Sequence, residues 1–220
     1  GLSTSFPIDS RYGWDIQYKK HRDLIDLVRD SLTPLFKWSG PDCRRWSSAT
    51  NAQDPRTLEQ SRQEEFPALS WLVRDCKCQH FAGRGYGVEN GLRSQIWTRS
   101  PLQRLHSEAD GRTNRSDACQ FGLVSDSNDP IQKSYRFETD IPLRSARKSC
   151  HGHGIREHQK LEGGKDTAKS AVYTPRLCEC IIQDVCTFLR KLAPSSSLKR
   201  ISYEAPYAKC SASDELSDLL

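Results

Sequence analysis

The stretch that most restricts the fold is "TPRLCECIIQDVCTFLRKLAP", residues 174–194. Thr174 suits a helix N-cap, and Pro175 suits the first helical position, where its missing N–H is not needed. Arg190 and Lys191 favour the negative end of the helix dipole, and Pro194 stops the run. Leu177, Ile181, Ile182, Val185, Phe188, Leu189 and Leu192 recur at helical spacing and predict one apolar stripe. A helix turns by about 100° per residue, so Cys178 and Cys180 point roughly 200° apart and cannot share a metal ion while it persists. Cys178 is expected inside the stripe, Cys180 away from it and Cys186 at its edge.

Such a helix needs partners, and core-forming residues are scarce. Leu, Ile, Val and Phe supply 44 of the 220 residues, and mean hydropathy is −0.73. That supply supports one modest core with long polar connections. The expected organisation is a flexible tail over 1–15, a single loop-rich domain over 16–194 and a flexible tail over 195–220. Leu24, Ile25, Leu27, Val28 and Leu32 predict a helix near 18–33. Asp54 and Pro55 open a solvated helix that ends at Phe66, and Pro67 restarts the chain for Leu69, Trp71, Leu72 and Val73. Tyr135, Phe137, Thr139 and Ile141 alternate with Arg136, Glu138 and Asp140, which predicts a half-buried strand over 134–141. Residues 81–133 read as punctuation without visible elements. The fold class expected is α+β or mostly α: a small helical core, one or a few short strands, long loops and flexible termini.

The net charge of +5 is mild, and no apolar run is long enough to span a membrane. The opening "GLSTSFPIDS" lacks the basic and apolar regions of a signal peptide. Nine cysteines are an odd number, which favours reduced thiols in an intracellular protein, cytoplasmic or nuclear; a secreted cysteine-containing protein is the alternative. Asn114-Arg115-Ser116 is a formal glycosylation sequon.

Two segments carry metal-binding residue types. "CKCQH" places Cys76, Cys78 and His80 on one face if that segment is extended. "CHGHGIREH" offers Cys150, His151, His153 and His158. Thiolates and imidazoles suit zinc, so Cys76, Cys78 and His80 are the candidates for one half of a composite site and Cys150, His151 and His153 for the other, a site that exists only if the two segments meet in space. "HGIREH" misses the inverted zinc-protease pattern by one residue. "GRGYGVENG" and "GGKDT" fail the dinucleotide and phosphate-loop patterns and read as flexible loops. No catalytic or cofactor-binding residue stands out.

Residues 144–169 are basic. Arg144, Arg147, Lys148, Arg156 and Lys160 are candidate phosphate contacts, with Tyr86 and Trp97 as candidate stacking groups. "GLSTS" fits a myristoylation pattern, "KRIS" a kinase site at Ser202 and "ELSDLL" a dileucine signal. The function these features favour is a non-enzymatic interaction or adaptor-type protein with a protein partner. The alternatives are a zinc-stabilised nucleic-acid-binding protein and a secreted protein. An enzyme assembled from distant residues carries no local signature.

Overall fold

The computed structural model describes residues 7–47, 53–161, 167 and 170–192. The "KRIS" and "ELSDLL" patterns and the "GLSTS" opening lie outside them. The fold is α+β. In chain order come α1 (Lys19–Leu32), β1 (Phe36–Ser39), α2 (Pro55–Phe81), β2 (Gly85–Gly91), α3 (Ser100–Glu108), β3 (Arg112–Asp117), β4 (Ser134–Thr139) and α4 (Pro175–Leu192), with short 3-10 turns at Ser10–Tyr12, Gln95–Thr98 and Ala118–Phe121. The four strands form one sheet in the order β1-β2-β4-β3. β1 and β2 are parallel and joined through α2, whereas β2–β4 and β4–β3 are antiparallel. The β1–α2–β2 connection is the helical crossover that a parallel pair requires.

Side chains alternate across a strand, and both faces of this sheet are covered. Tyr86 and Val88 of β2 join Ile25 of α1, Leu69 and Leu72 of α2 and Leu105 of α3 in one core cluster. Tyr135 and Phe137 of β4 join Leu177, Ile181 and Val185 of α4 in a second. Trp14 and Ile16 pack against the first cluster, so ordered structure begins within the expected N-terminal tail.

Helix α4 follows its N-terminal signals: the Leu177 N–H donates to Thr174 Oγ1 at 3.3 Å. Its buried centre is Leu177, Ile181, Asp184 and Val185, with Phe188 and Leu189 partly covered. The Asp184 carboxylate accepts the backbone N–H groups of Ser145 and Ala146, which tethers that loop to the helix. This polar anchor rotates the inward face away from Ile182, which is 55% exposed. Cys178 and Cys180 therefore flank the stripe on opposite sides. Contrary to expectation, Cys180 packs against the core and Cys178 is only half-buried.

Three other readings are corrected. Pro67 lies inside a continuous α2 and does not restart the chain. Proline in a helix interior costs about 3 kcal/mol. Here that cost is offset by burial of Ala68, Leu69, Trp71, Leu72, Val73 and Cys76 just beyond it. "GRGYGVENG" is the second strand of the sheet and not a loop. A Cβ at Gly85 would meet the Phe36 ring at 2.6 Å, and one at Gly87 the Trp38 ring at 2.5 Å. These glycines are the floor on which two aromatic rings lie. Residues 81–133 as a whole contain two strands and a helix. β3, "RTNRSD", has no apolar residue, so periodicity cannot reveal it.

The strand expected over 134–141 is β4, and Tyr135, Phe137 and Ile141 are buried. Its charged side is covered as well: Glu138 is 1% exposed. The Glu138 carboxylate pairs with His106 Nδ1 at 2.6 Å and accepts from Thr113 and Arg136 at 3.0 Å. On α1, only Ile25 of the expected apolar set is fully buried, and Leu24, Leu27 and Leu32 are exposed. Arg29 is buried instead, and ion pairs to Asp26, Asp30 and Asp75 satisfy it.

Candidate metal centre

β3 ends at Asp117 and runs directly into the 3-10 turn Ala118–Phe121, which carries Cys119. The segment before Cys150 lies alongside this corner: Ser116 forms a parallel bridge with Lys148, and the Asp117 N–H donates to the Lys148 carbonyl at 2.8 Å. The Asp117 carboxylate reaches forward to accept the Cys150 N–H at 2.6 Å. It also accepts from Ser134 Oγ at 2.5 Å and from the Arg115 guanidinium at 2.9 Å. Burial pushes the pKa of Asp117 up, but the donors from Cys150, Ser134 and Arg115 outweigh it and hold this carboxyl below the ordinary value. Asp117 is thus a buried anion that fixes the position of Cys150.

After Cys150 the chain folds back on itself. Gly152 and Gly154 take positive φ values of 110° and 68°, which only glycine adopts without strain. His153 bridges to Arg156 across the resulting turn, and the path brings His158 back toward Cys150. Cys150 Sγ lies 3.3 Å from His153 Nε2 and 3.5 Å from His158 Nε2. The two imidazoles meet edge to face at 5.1 Å between centroids. The Gly152 N–H donates to Cys150 Sγ at 3.3 Å.

Cys119, Cys150, His153 and His158 each offer one ligand atom, and all four atoms lie within 4.8 Å of one another. Zinc–sulfur bonds near 2.3 Å and zinc–nitrogen bonds near 2.0–2.1 Å set the sulfur–nitrogen edge of a tetrahedron at about 3.5 Å. The Cys150–His153 and Cys150–His158 edges, at 3.3 and 3.5 Å, match that value. Two thiols and two imidazoles make a soft, closed donor set of the kind that structural zinc takes, with no position left for water or substrate. Cys119 is buried, and burial together with the Cys150 thiol pushes it up to about 12. A cation at the centre would supply the charge that its thiolate lacks.

Of the six residues expected to bind metal, the structure brings Cys150 and His153 into this cluster. Exposed His151 stands outside it. Cys76, Cys78 and His80 sit in the last turns of α2, not on an extended segment, so Cys78 points roughly 200° away from Cys76 and His80 and the three do not share one face. Cys76 is buried in the first core cluster. His80 Nδ1 lies 3.2 Å from Asp140, which also accepts the Tyr86 N–H at 2.9 Å. Cys119, 31 residues before Cys150, had no local signal. His158 did: it completes a Cys-x2-His-x4-His spacing that the glycine turns can close.

Tyr86 is fully buried and Trp97 is 7% exposed, so neither is a stacking platform. Arg144, Arg147, Lys148, Arg156 and Lys160 are all exposed. Asn114 of the sequon is 5% exposed and its amide nitrogen donates to the Arg112 carbonyl, so the folded chain does not present it for glycosylation. The eight described cysteines are free thiols. No described helix is long and apolar enough to cross a membrane. No family model, curated protein or solved structure matches this chain.

Proposed function

We propose that this protein is a zinc-stabilised binding protein that contacts the phosphate backbone of nucleic acid. The observation that carries the reading is the convergence of Cys119, Cys150, His153 and His158. Zinc held by these four would close the 150–158 loop onto the end of β3, adding to the Ser116–Lys148 bridge and the Asp117–Cys150 hydrogen bond that already join the two segments. The loop and its approach carry Arg144, Arg147, Lys148, Arg156 and Lys160, all facing water. A loop fixed by metal loses less entropy when it binds a partner than a free one. Exposed Lys and Arg beside it would act by neutralising phosphates and releasing counterions.

The test has two arms. Elemental analysis of protein purified without added metal should give one zinc per chain. Fluorescence anisotropy with labelled RNA and DNA oligonucleotides should then show binding that weakens steeply with salt and drops when Arg144, Arg147 and Lys148 are changed to Gln. Absence of zinc sinks the metal reading. Zinc without oligonucleotide binding leaves a structural centre and sinks the nucleic-acid reading.

A protein partner, the first expectation from the sequence, draws support from one observation. Leu24, Leu27, Leu32 and Leu35 are 42%, 62%, 55% and 48% exposed on and just after α1. Apolar surface of this kind is common at protein interfaces.

A further inference from the structure

The parallel strands β1 and β2 end at Ser39 and Gly91, and a cavity of about 670 Å³ opens beyond them. The crevice outside the carboxyl ends of parallel strands is where open α/β sheets bind ligands. The volume falls within the range of small-molecule sites, about 300–1,000 Å³. None of the four Cys/His ligands lines it.

Both signs of charge meet in this space. Glu89 and Asp42 contribute carboxyl groups, and Lys133 and Arg93 contribute cations. Asp42 is engaged by Arg44 at the rim. Glu89 is held from behind: it accepts from the Tyr173 hydroxyl, which accepts in turn from the Trp38 indole. Lys133 Nζ donates to the Ser170 carbonyl at 2.6 Å and stands 5.2 Å from the Tyr135 ring centre. Burial pushes Glu89 up and Lys133 down, because each charged form loses hydration there. Each feels the charge of the other, yet among the described residues no direct ion pair joins them. Tyr135 and Tyr173 form two walls at 84°, 5.1 Å between centroids.

A lone anion would meet Glu89, and a lone cation would meet Lys133. A ligand with both charges on one carbon satisfies the two together. We propose that this cavity binds a free α-amino acid, with its ammonium group on Glu89, its carboxylate on Lys133 and its side chain against Tyr135 and Tyr173.

Isothermal titration calorimetry of the full chain with each of the twenty standard amino acids tests this directly. At least one should bind with 1:1 stoichiometry. Its matched amine without the carboxylate, and its matched acid without the amine, should each bind at least tenfold more weakly. Glu89→Gln and Lys133→Met should each weaken binding at least tenfold while circular dichroism and melting stay as in the parent chain. The proposal is overturned if no amino acid binds, if either singly charged analogue binds as tightly, or if both folded variants bind unchanged. The analogue comparison uses the unaltered protein, so it decides the matter even where a variant fails to fold.

Discussion

The Asp117 carboxylate accepts the backbone N–H of Cys150 at 2.6 Å, across 33 positions of sequence. Asp117 is fully buried and lies two residues before Cys119, so its carboxylate fixes Cys150 beside the turn that carries the other cysteine of the candidate metal centre. Residues that orient a ligand without touching the metal commonly change affinity about 10–100-fold when replaced. Asp117→Ala should therefore lower zinc affinity by about that factor, read by competition with a chromogenic chelator. An unchanged affinity would mean that the Asp117 contact holds the fold but not the centre.

Replacing a ligand should separate the four cluster residues from their neighbours. With cobalt in place of zinc, the parent chain should show the visible absorption of a tetrahedral site with thiolate ligands. His158→Ala and Cys119→Ser should each lose or shift that band, whereas His151→Ala and Cys78→Ser should leave it intact. A band that disappears on loss of Cys78 but survives loss of Cys119 would favour the composite site expected from sequence.

Gly87→Ala tests the aromatic floor of the sheet. The added methyl would sit 2.5 Å from the Trp38 ring, which must move. Overpacking of this kind costs about 1–3 kcal/mol, visible as a lower denaturation midpoint. Gly91→Ala, on the same strand with nothing within 4 Å of its Cβ, should cost less.

Glu65 gives a pH dependence with a defined sign. It is 7% exposed and accepts the Trp46 indole N–H at 2.6 Å. Burial outweighs that bond and raises its pKa above the ordinary 4.5. Below pH 4.5 the carboxyl is protonated in both folded and unfolded chains. As pH rises from there through the elevated folded value, the unfolded chain ionises first, and stability is lost relative to a residue that cannot ionise. Glu65→Gln should accordingly gain stability over the parent between pH 4.5 and neutrality, measured by urea unfolding at each end of that window. A parent chain that gains over the variant with rising pH would reverse the assignment.

Leu177 is fully buried at the centre of the α4 stripe, whereas Leu189 is only partly covered. Leu177→Ala should cost about 2–5 kcal/mol, the range for a filled core site, and Leu189→Ala clearly less. Chemical denaturation of the two variants side by side checks the order. Equal losses would place Leu189 as deep as Leu177.

The sequence by itself determined the elements whose signals are local. The α4 helix carries its opening proline and its apolar period within 18 residues, directly after its N-cap Thr174. The β4 strand carries strict alternation. Both are readable because the physics that stabilises them acts between neighbours three to four apart in a helix and two apart in a strand. Only the tertiary structure decided the rest. β2 is a strand because its glycines leave room for Phe36 and Trp38, which arrive from β1 some fifty residues earlier. β3 is a strand because β4 supplies the partner backbone. Pro67 stays helical because the helix beyond it is buried. The candidate centre divides the same way. The Cys150–His158 half is legible as spacing, but Cys119 joins it only because a polar edge strand and a buried aspartate bring the two segments together. Hydrogen-bonding and ligand geometry are set in space, and a linear pattern records them only where the chain folds back within a few residues.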